Sequence, residues 1–242
     1  KNMPFDLFIP LAKLNGAKQG QKAVARIIEW DQRSRNPVGE ITEVLGYPGE
    51  NETEMHAILA EFGLPYRFDA EVERAAEKIP GEITEEDTRE RRDFRAVPTF
   101  TIDPEDAKDF DDALSLKELP NGNMEVGVHI ADVTWYVQPG SILEKEAQER
   151  ATSVYLVDRT VPMLPEKISN HICSLNPYED KLTYSAVFEM DSKASIVSEW
   201  FGRTVIKSAR RVAYSEAQKV IDTGEGDMKE QMLTLHDLAQ KL

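Results

Sequence analysis

This 242-residue sequence is most informative at Thr101-Ile102-Asp103-Pro104-Glu105-Asp106-Ala107-Lys108-Asp109-Phe110-Asp111-Asp112-Ala113. Four aspartates stand here at offsets of 0, 6, 8 and 9, namely Asp103, Asp109, Asp111 and Asp112. A block this acidic is usually a solvated loop or tail. Here, however, short apolar strands are predicted to enter and leave it, at residues 97–102 and 113–116. We therefore expect a loop that is anchored in a folded core at both ends.

The spacing of the aspartates favours a metal site. If Phe110 points inward, Asp109 and Asp111 point together to the opposite face, and Asp103 can return across the loop. Clustered carboxylates raise one another's pKa unless a cation compensates. Mg²⁺ suits them, because it takes one or two carboxylates with waters and phosphate oxygens, and paired ions can clamp an in-line phosphoryl displacement. A calcium loop of the EF-hand type would need a glycine and a glutamate at set positions, and a loop starting at Asp106 or Asp109 has neither.

Periodicity and turn residues predict the surrounding elements. Strands are predicted at residues 6–10, 22–30, 38–46, 97–102, 113–116, 124–137, 182–190 and 196–205. Helices are predicted around residues 55–62, 70–78, 141–152 and 215–221 and from residue 228, with capping boxes at Thr84 and Ser141. The apolar face of the last helix is predicted to comprise Met228, Met232, Leu235, Ala239 and Leu242.

These elements predict an α+β chain in three parts. Residues 1–50 hold three strands, too few for a closed barrel, so we expect the end of a small β-domain whose beginning lies outside the chain. The pattern of residues 51–91 predicts an acidic helical connector. The pattern of residues 92–242 predicts the N-terminal portion of a mixed α+β domain, whose last helix runs to the end of the sequence without a cap.

Composition narrows the class of protein. No apolar run approaches a membrane span, residues 1–4 lack the apolar core of a signal peptide, and the single cysteine, Cys173, excludes a disulfide framework. We expect a cytoplasmic protein without a membrane partner. The net charge of -15 argues at first sight against a nucleic-acid partner. That figure, however, counts the clustered aspartates without any cation.

Around the acid block, the sequence resembles the ribonuclease II/ribonuclease R (RNB) family, whose catalytic domain carries an Asp-x5-Asp-x-Asp-Asp signature. Further matches follow in order along the chain and favour ribonuclease R, at residues 129–133, 152–156, 162–165 and 173–177. The resemblance implies a truncated cold-shock (OB-like) barrel at the N-terminus, followed by part of an RNB catalytic domain.

The resemblance also implies roles for individual residues. Asp103, Asp109 and Asp112 match metal ligands, and Asp111 matches the metal-holding aspartate most directly required for the chemical step. Tyr155 matches the aromatic residue that holds the terminal nucleotide, although ordinary core packing is its alternative. Tyr214 matches a second aromatic residue of the RNA path, one position out of register. Arg211, like Arg210, either binds phosphate or lies on a solvated strand end, and we include Arg211 in the predicted RNA-binding set.

The implied activity is that of an exoribonuclease of the ribonuclease II type, a processive, hydrolytic, 3′-to-5′ enzyme. It acts on single-stranded RNA, releases nucleoside 5′-monophosphates and uses Mg²⁺, for which Mn²⁺ can substitute. We expect the parent protein to be a monomer and the isolated chain to be weak or inactive, because family catalytic domains extend well beyond this length. The alternative is a non-catalytic RNA-binding or interaction module that retains the fold.

Overall fold

The computed structural model describes residues 5–31, 35–65, 67–157 and 159–242. The chain divides into two compact units, Lys1–Phe68 with Leu156–Val161, and Asp69–Tyr155 with Pro162–Leu242. The predicted α+β architecture is confirmed. The division into residues 1–50, 51–91 and 92–242 stays a prediction, and residues 1–4 lie outside the described residues.

Across the described ranges, no helix has the length and apolar character needed to cross a membrane.

The first unit is built on an antiparallel strand pair. Strands β1 (Lys22–Glu29) and β2 (Val38–Gly46) pair from Lys22 opposite Gly46 to Glu29 opposite Val38, and helix α1 (Asn51–Glu61) follows. The prediction of a strand at residues 6–10 is wrong. Only Phe8 bridges to Val38, and a 3₁₀ turn follows at Leu11–Lys13. Pro10 has no backbone N–H with which to continue the ladder.

Gly46 allows α1 to approach the end of β2 closely. Its φ is +132°, and a Cβ atom there would lie 2.2 Å from Thr53 Oγ1. Thr53 is buried, and its hydroxyl donates to the carbonyl of Leu45 at 3.2 Å. A glycine is therefore needed at this position for both conformation and space.

The second unit contains a seven-stranded sheet. The remaining strands of the chain are β3 (Arg92–Asp93), β4 (Thr99–Asp103), β5 (Asp112–Glu118), β6 (Met124–Ala131), β7 (Val154–Tyr155), β8 (Thr160–Val161), β9 (Asp180–Met190), β10 (Ile196–Lys207) and β11 (Arg210–Ala213). The sheet order is β11-β4-β5-β6-β9-β10-β3. Its interior pairs are antiparallel, whereas the two edge pairs, β11 with β4 and β10 with β3, are parallel.

Six helices belong to this unit. They are α2 (Ala70–Glu77), α3 (Glu85–Thr88), α4 (Val133–Tyr136), α5 (Ile142–Arg150), α6 (Tyr214–Thr223) and α7 (Lys229–Lys241), and Lys167–Ile172 is π-helical. The capping box predicted at Thr84 is confirmed, with Asp87 as its partner. At Ser141 only half of the predicted box forms. The Ser141 hydroxyl accepts from the Glu144 N–H, but the Glu144 carboxylate accepts from Gly140 instead of the cap residue.

Helices α6 and α7 cover one face of the sheet through two clusters of buried side chains. The first cluster comprises Phe100, Val212, Ala217, Val220 and Met232, and the second comprises Leu116, Val126, Met190, Ala194 and Leu238. The prediction for the end of α7 is therefore wrong. Leu238 is buried there, whereas Ala239 and Leu242 are exposed. Leu238 packs in the second cluster with Met190 and Ala194, so tertiary packing, and not the helical period alone, determines which residue is buried.

Strand β6 ends earlier than predicted. It stops at Ala131, and α4 begins at Val133, whereas the alternation of residue types predicts a strand to residue 137. Asp132 stands between the two elements and forms a buried ion pair with Arg91, with 2.7 Å between Oδ2 and Nη2. The Asp132 N–H still donates to the Leu182 carbonyl at 3.0 Å, and the chain then turns into α4.

The opposite face of the sheet carries a row of buried polar side chains. His129 is fully buried, with Nδ1 2.6 Å from the Ser185 hydroxyl and Nε2 2.8 Å from the Ser115 hydroxyl. The row continues from Ser185 to Thr204 and from Thr204 to Thr183. His129 is therefore a hydrogen-bonded core residue.

His129 makes the stability of this chain depend on pH. Burial lowers the pKa of His129 from 6.5 to about 4, and the charge of Arg92 contributes. Between pH 6.5 and 4, His129 is protonated in the unfolded chain but stays neutral in the folded chain. Stability therefore falls as the pH falls. We expect the titration of His129 to lower the unfolding free energy by about 2 kcal/mol when the pH is lowered from 7 to 5.

Urea unfolding of the wild type and of His129→Gln at both pH values measures this effect. Glutamine does not titrate, so the variant should lose less stability on acidification than the wild type. Equal losses in the two proteins would contradict the assignment.

Candidate functional site

The four aspartates of the acid block lie at and between the ends of two central strands. Asp103 is the last residue of β4, Asp112 is the first residue of β5, and the loop at residues 104–111 joins them. Ala213, the last residue of β11, lies beside Asp103 in the parallel register. The prediction of a loop anchored in a core at both ends is confirmed.

Ser174 fixes the backbone on both sides of Asp109. Its fully buried hydroxyl accepts from the Phe110 N–H at 3.0 Å and donates to the Lys108 carbonyl at 3.2 Å. The Leu175 N–H also donates to the Phe110 carbonyl at 2.8 Å. Phe110 is buried, as the alternation predicts. Sequence reasoning did not find the role of Ser174, although residues 173–177 form one of the motifs that match the family.

Arg211 supports the same loop from the β11 side. Its Nη2 donates to the carbonyls of Pro104, at 3.0 Å, and of Glu105. The guanidinium carbon lies 5.0 Å from the centre of the Phe110 ring. Arg210, by contrast, forms ion pairs with Glu216 and Asp227. The two arginines therefore differ in their contacts, because, in the part of the chain that the structure describes, Arg211 contacts the acid loop and Arg210 does not.

Asp103 is the buried member of the aspartates. Only 9% of the residue is exposed, and Oδ2 has no hydrogen-bond partner among the described residues. Burial raises the pKa of Asp103, and the charges of Asp112 and Asp109 raise it further. The Thr101 hydroxyl opposes part of this increase, but its position does not meet hydrogen-bond geometry. A buried carboxylate oxygen without a partner is costly unless a cation or donor is supplied.

Asp111 is electrostatically coupled to the other three aspartates. The residue is open to solvent on one side, but partial enclosure raises the pKa of its carboxyl, and the charges of Asp109, Asp112 and Asp103 add to the increase. Its backbone is held by the Ala131 N–H, which donates to the Asp111 carbonyl at 3.0 Å. The structure therefore brings the four predicted aspartates into one negatively charged site.

Tyr155 contacts this site directly. Its hydroxyl donates a hydrogen bond to Oδ2 of Asp109, and this bond raises the pKa of the Tyr155 phenol. The residue is 62% exposed, so it is not core filling. Tyr214 is also exposed and begins α6 directly after Ala213, the neighbour of Asp103. Both predicted aromatic residues thus lie at or beside the acid loop, and their contacts with RNA stay a prediction.

A cavity of about 250 Å³ opens beside Asp109 and Asp111. Its walls are mainly apolar and include Ile130, Val133, Met163, Leu164 and Ile168, together with Ser153. Cys173 also lines the cavity, and burial raises the pKa of its thiol to about 12. These walls come from three separate chain segments, and for that reason the spacing of residues did not predict them.

The donor set fits a hard divalent ion that also binds a substrate. Within the described ranges, no three Asp, Glu, His or Cys groups converge closely enough to hold an ion by themselves. Mg²⁺ does not require such a cage, because it is usually held by one or two carboxylates together with waters and phosphate oxygens. The unpartnered oxygen of Asp103 and the mutual repulsion of the four aspartates are what a bound cation would relieve.

Models of two protein families match the two parts of the chain. A model of the RNB domain matches residues 91–242, and a model of a cold shock domain matches residues 1–69. These matches agree with the predicted fold. The four aspartates, Tyr155 and Tyr214 all fall within the first match.

Individual relatives are similar over most of the chain. Ribonuclease R 2 of Lactococcus lactis is 40% identical over 217 residues, which make up 90% of this chain and 33% of that protein. The solved structure of Mycoplasma genitalium RNase R in complex with ribose-methylated single-stranded RNA is 25% identical, with a TM-score of 0.88 over 98% of this chain and 38% of that one. An Arabidopsis thaliana protein named "Inactive exonuclease DIS3L2" is 36% identical over 94% of this chain and 22% of its own length. The chain thus spans about a third or less of the length of these two curated relatives.

Proposed function

Because this chain belongs to the RNB domain family, we propose that its parent protein is a hydrolytic 3′-to-5′ exoribonuclease acting on single-stranded RNA. The products would be nucleoside 5′-monophosphates, and the cofactor would be Mg²⁺, with Mn²⁺ as a substitute. The activity is assigned to the whole protein, to whose site this chain contributes the four aspartates.

The observation that carries the proposal is the placement of four aspartates at and between the adjoining ends of β4 and β5, with the hydroxyl of an exposed tyrosine bonded to one of them. Carboxylates in this arrangement suit phosphoryl transfer, which needs cations near the phosphate and a fixed geometry. An aromatic ring beside them suits the terminal base, since stacking is worth about 1–3 kcal/mol and accepts every base.

In the proposed mechanism, Asp103, Asp109, Asp111 and Asp112 are the residues that would hold the metal ions. Bound Mg²⁺ would lower the pKa of an attacking water and offset the negative charge that develops on the phosphate and on the leaving 3′-oxygen. Tyr155 and Tyr214 orient the 3′-terminal nucleotides by stacking. Arg211 keeps the acid loop in place, and a phosphate contact from its guanidinium is part of the proposal. The water oxygen forms a bond to phosphorus as the bond from phosphorus to the 3′-oxygen breaks. A proton from the water ends on that 3′-oxygen, and the terminal nucleotide leaves as its 5′-monophosphate.

A second candidate function is a non-catalytic module, because a relative 36% identical to this chain is named inactive. What favours catalysis is that this chain has all four aspartates and that the structure couples them.

The direct test is an assay of the parent protein with an oligoribonucleotide that carries a label at its 5′ end. We expect shortening from the 3′ end, release of 5′-monophosphates, dependence on Mg²⁺ and no shortening of the matched oligodeoxyribonucleotide. RNA binding without any shortening at millimolar Mg²⁺ or Mn²⁺ would favour the non-catalytic module. This 242-residue chain, assayed in parallel, should be weak or inactive.

A further inference from the structure

The hydroxyl of Tyr155 and the ring of Tyr155 have different neighbours. The hydroxyl donates to Oδ2 of Asp109, while the residue as a whole stays 62% exposed. We propose that Tyr155 is a positioning residue that fixes the Asp109 carboxylate for metal binding, independently of any stacking by its ring. This inference rests on the proposed function, because it takes Asp109 to be a metal ligand.

Asp109 lacks the support that a strand gives. Asp103 and Asp112 belong to strands β4 and β5, whereas Asp109, like Asp111, lies in the loop between them. Ser174 bonds the backbone on both sides of Asp109, at Lys108 and at Phe110. A fixed backbone still leaves several staggered side-chain rotamers. The direction of the Asp109 carboxylate must therefore be set by a side-chain contact.

Tyr155 is placed to supply that contact. Among the described residues, Asp109 is the one member of the four aspartates whose carboxylate accepts a hydrogen bond. Tyr155 lies in β7, and the chain just before it is held by Ser153, whose hydroxyl accepts from the Met163 N–H at 3.0 Å. The donor is thus attached to an ordered segment of the same unit as Asp109.

The hydrogen bond from Tyr155 leaves the Asp109 carboxylate able to bind a cation as well. A carboxylate has two oxygens with about four lone-pair sites, so one bond at Oδ2 does not exhaust Asp109. Hydrogen bonds that orient metal ligands typically change metal affinity by about 10-fold to 100-fold when they are removed. Tyr155 would therefore act in two separable ways, through its hydroxyl on Asp109 and through its ring on RNA.

Two substitutions separate these roles. Tyr155→Phe keeps the ring and removes the hydroxyl, whereas Tyr155→Leu removes both. Tyr184→Phe is the matched control, since Tyr184 is 51% exposed, has no hydrogen bond from its hydroxyl among the described residues and lies outside the proposed site.

The experiment measures Mn²⁺ affinity of the parent protein by titration calorimetry without RNA, and separately measures oligoribonucleotide affinity in EDTA. Tyr155→Phe should weaken Mn²⁺ binding about 10-fold and change RNA affinity less than about 2-fold. Tyr155→Leu should weaken both, and Tyr184→Phe neither. In an Asp109→Asn background, Tyr155→Phe should have no further effect on Mn²⁺.

Unchanged or tighter Mn²⁺ binding by Tyr155→Phe would overturn the inference. Wild-type Mn²⁺ binding that Asp109→Asn leaves unaltered would overturn it as well, together with the metal assignment. A wild type that shows the expected Tyr155 dependence but degrades no RNA would support the positioning role and contradict the proposed activity, so the two failures are distinguishable.

Discussion

Asp111→Asn in the parent protein is expected to lower the rate of RNA hydrolysis by about 10³-fold or more while leaving RNA affinity in EDTA within about 2-fold. Asparagine has nearly the same size as aspartate but lacks the negative charge. Burial and the charges of the other three aspartates raise the pKa of Asp111, so its carboxylate lies where a bound cation would relieve repulsion. Its loss should therefore affect the chemical step much more than it affects the binding of RNA.

Asp106→Asn is the matched control for this prediction. Asp106 lies in the same loop and is exposed, but it is not one of the four coupled aspartates. The same chemical change at Asp106 should leave turnover within about 2-fold of the wild type. Single-turnover hydrolysis at saturating Mg²⁺ measures both variants. Equal rates for wild type and Asp111→Asn would contradict the assignment of the catalytic site.

The largest expected effect on stability is at the buried ion pair of Arg91 and Asp132. Both side chains are 2% exposed, and Nη2 lies 2.7 Å from Oδ2. Arg91 also donates to the carbonyls of Thr183 and Thr204, which belong to β9 and β10. Removal of Arg91 leaves Asp132 with the more distant Arg203, whose Nε lies 3.5 Å from the same oxygen, and removal of Asp132 leaves the buried Arg91 charge with carbonyl acceptors. Arg91→Gln and Asp132→Asn should therefore each lower the unfolding free energy by about 3 kcal/mol, the lower end of the range for a broken buried pair.

Urea unfolding of this chain at pH 7 tests that prediction. The double variant should lose less stability than the sum of the two single losses, because the two residues interact directly. Arg95→Gln is the control, since the Arg95 side chain is 40% exposed and bonds to Asp93 on the surface, where an ion pair is worth about 1 kcal/mol or less. Losses below about 1 kcal/mol for both single variants would show that the pair is not structurally important.

Sequence patterns predicted the elements whose signals are local. Strands β1, β2, β4 and β5 and the capping box at Thr84 follow from alternation and short-range spacing, and the structure confirms them. The acid site could be predicted for the same reason, since its four aspartates lie within ten consecutive residues.

The features that escaped prediction depend on partners distant in sequence. Asp132, the residue after β6, pairs with Arg91, and the backbone of Asp109 is held by Ser174. Leu238 near the end of α7 packs in one cluster with Met190 and Ala194. The hydroxyl of Tyr155 reaches Asp109 across 46 positions. Periodicity describes which side of an element is apolar, but it contains no information about which distant side chain will meet that element.

The support that β11 gives to the acid loop has a consequence for the order of folding. Arg211 contacts the carbonyl of Pro104 across 107 positions, and β11 pairs with β4 in parallel. Such long-range parallel pairing forms slowly, because chain entropy is lost before the contacts are gained. During synthesis, a nascent chain that ends before residue 210 already contains every aspartate of the site but not the strand that flanks Asp103. The acid loop should therefore reach its final geometry only after the polypeptide has emerged past residue 213, as one of the last events in the maturation of this unit.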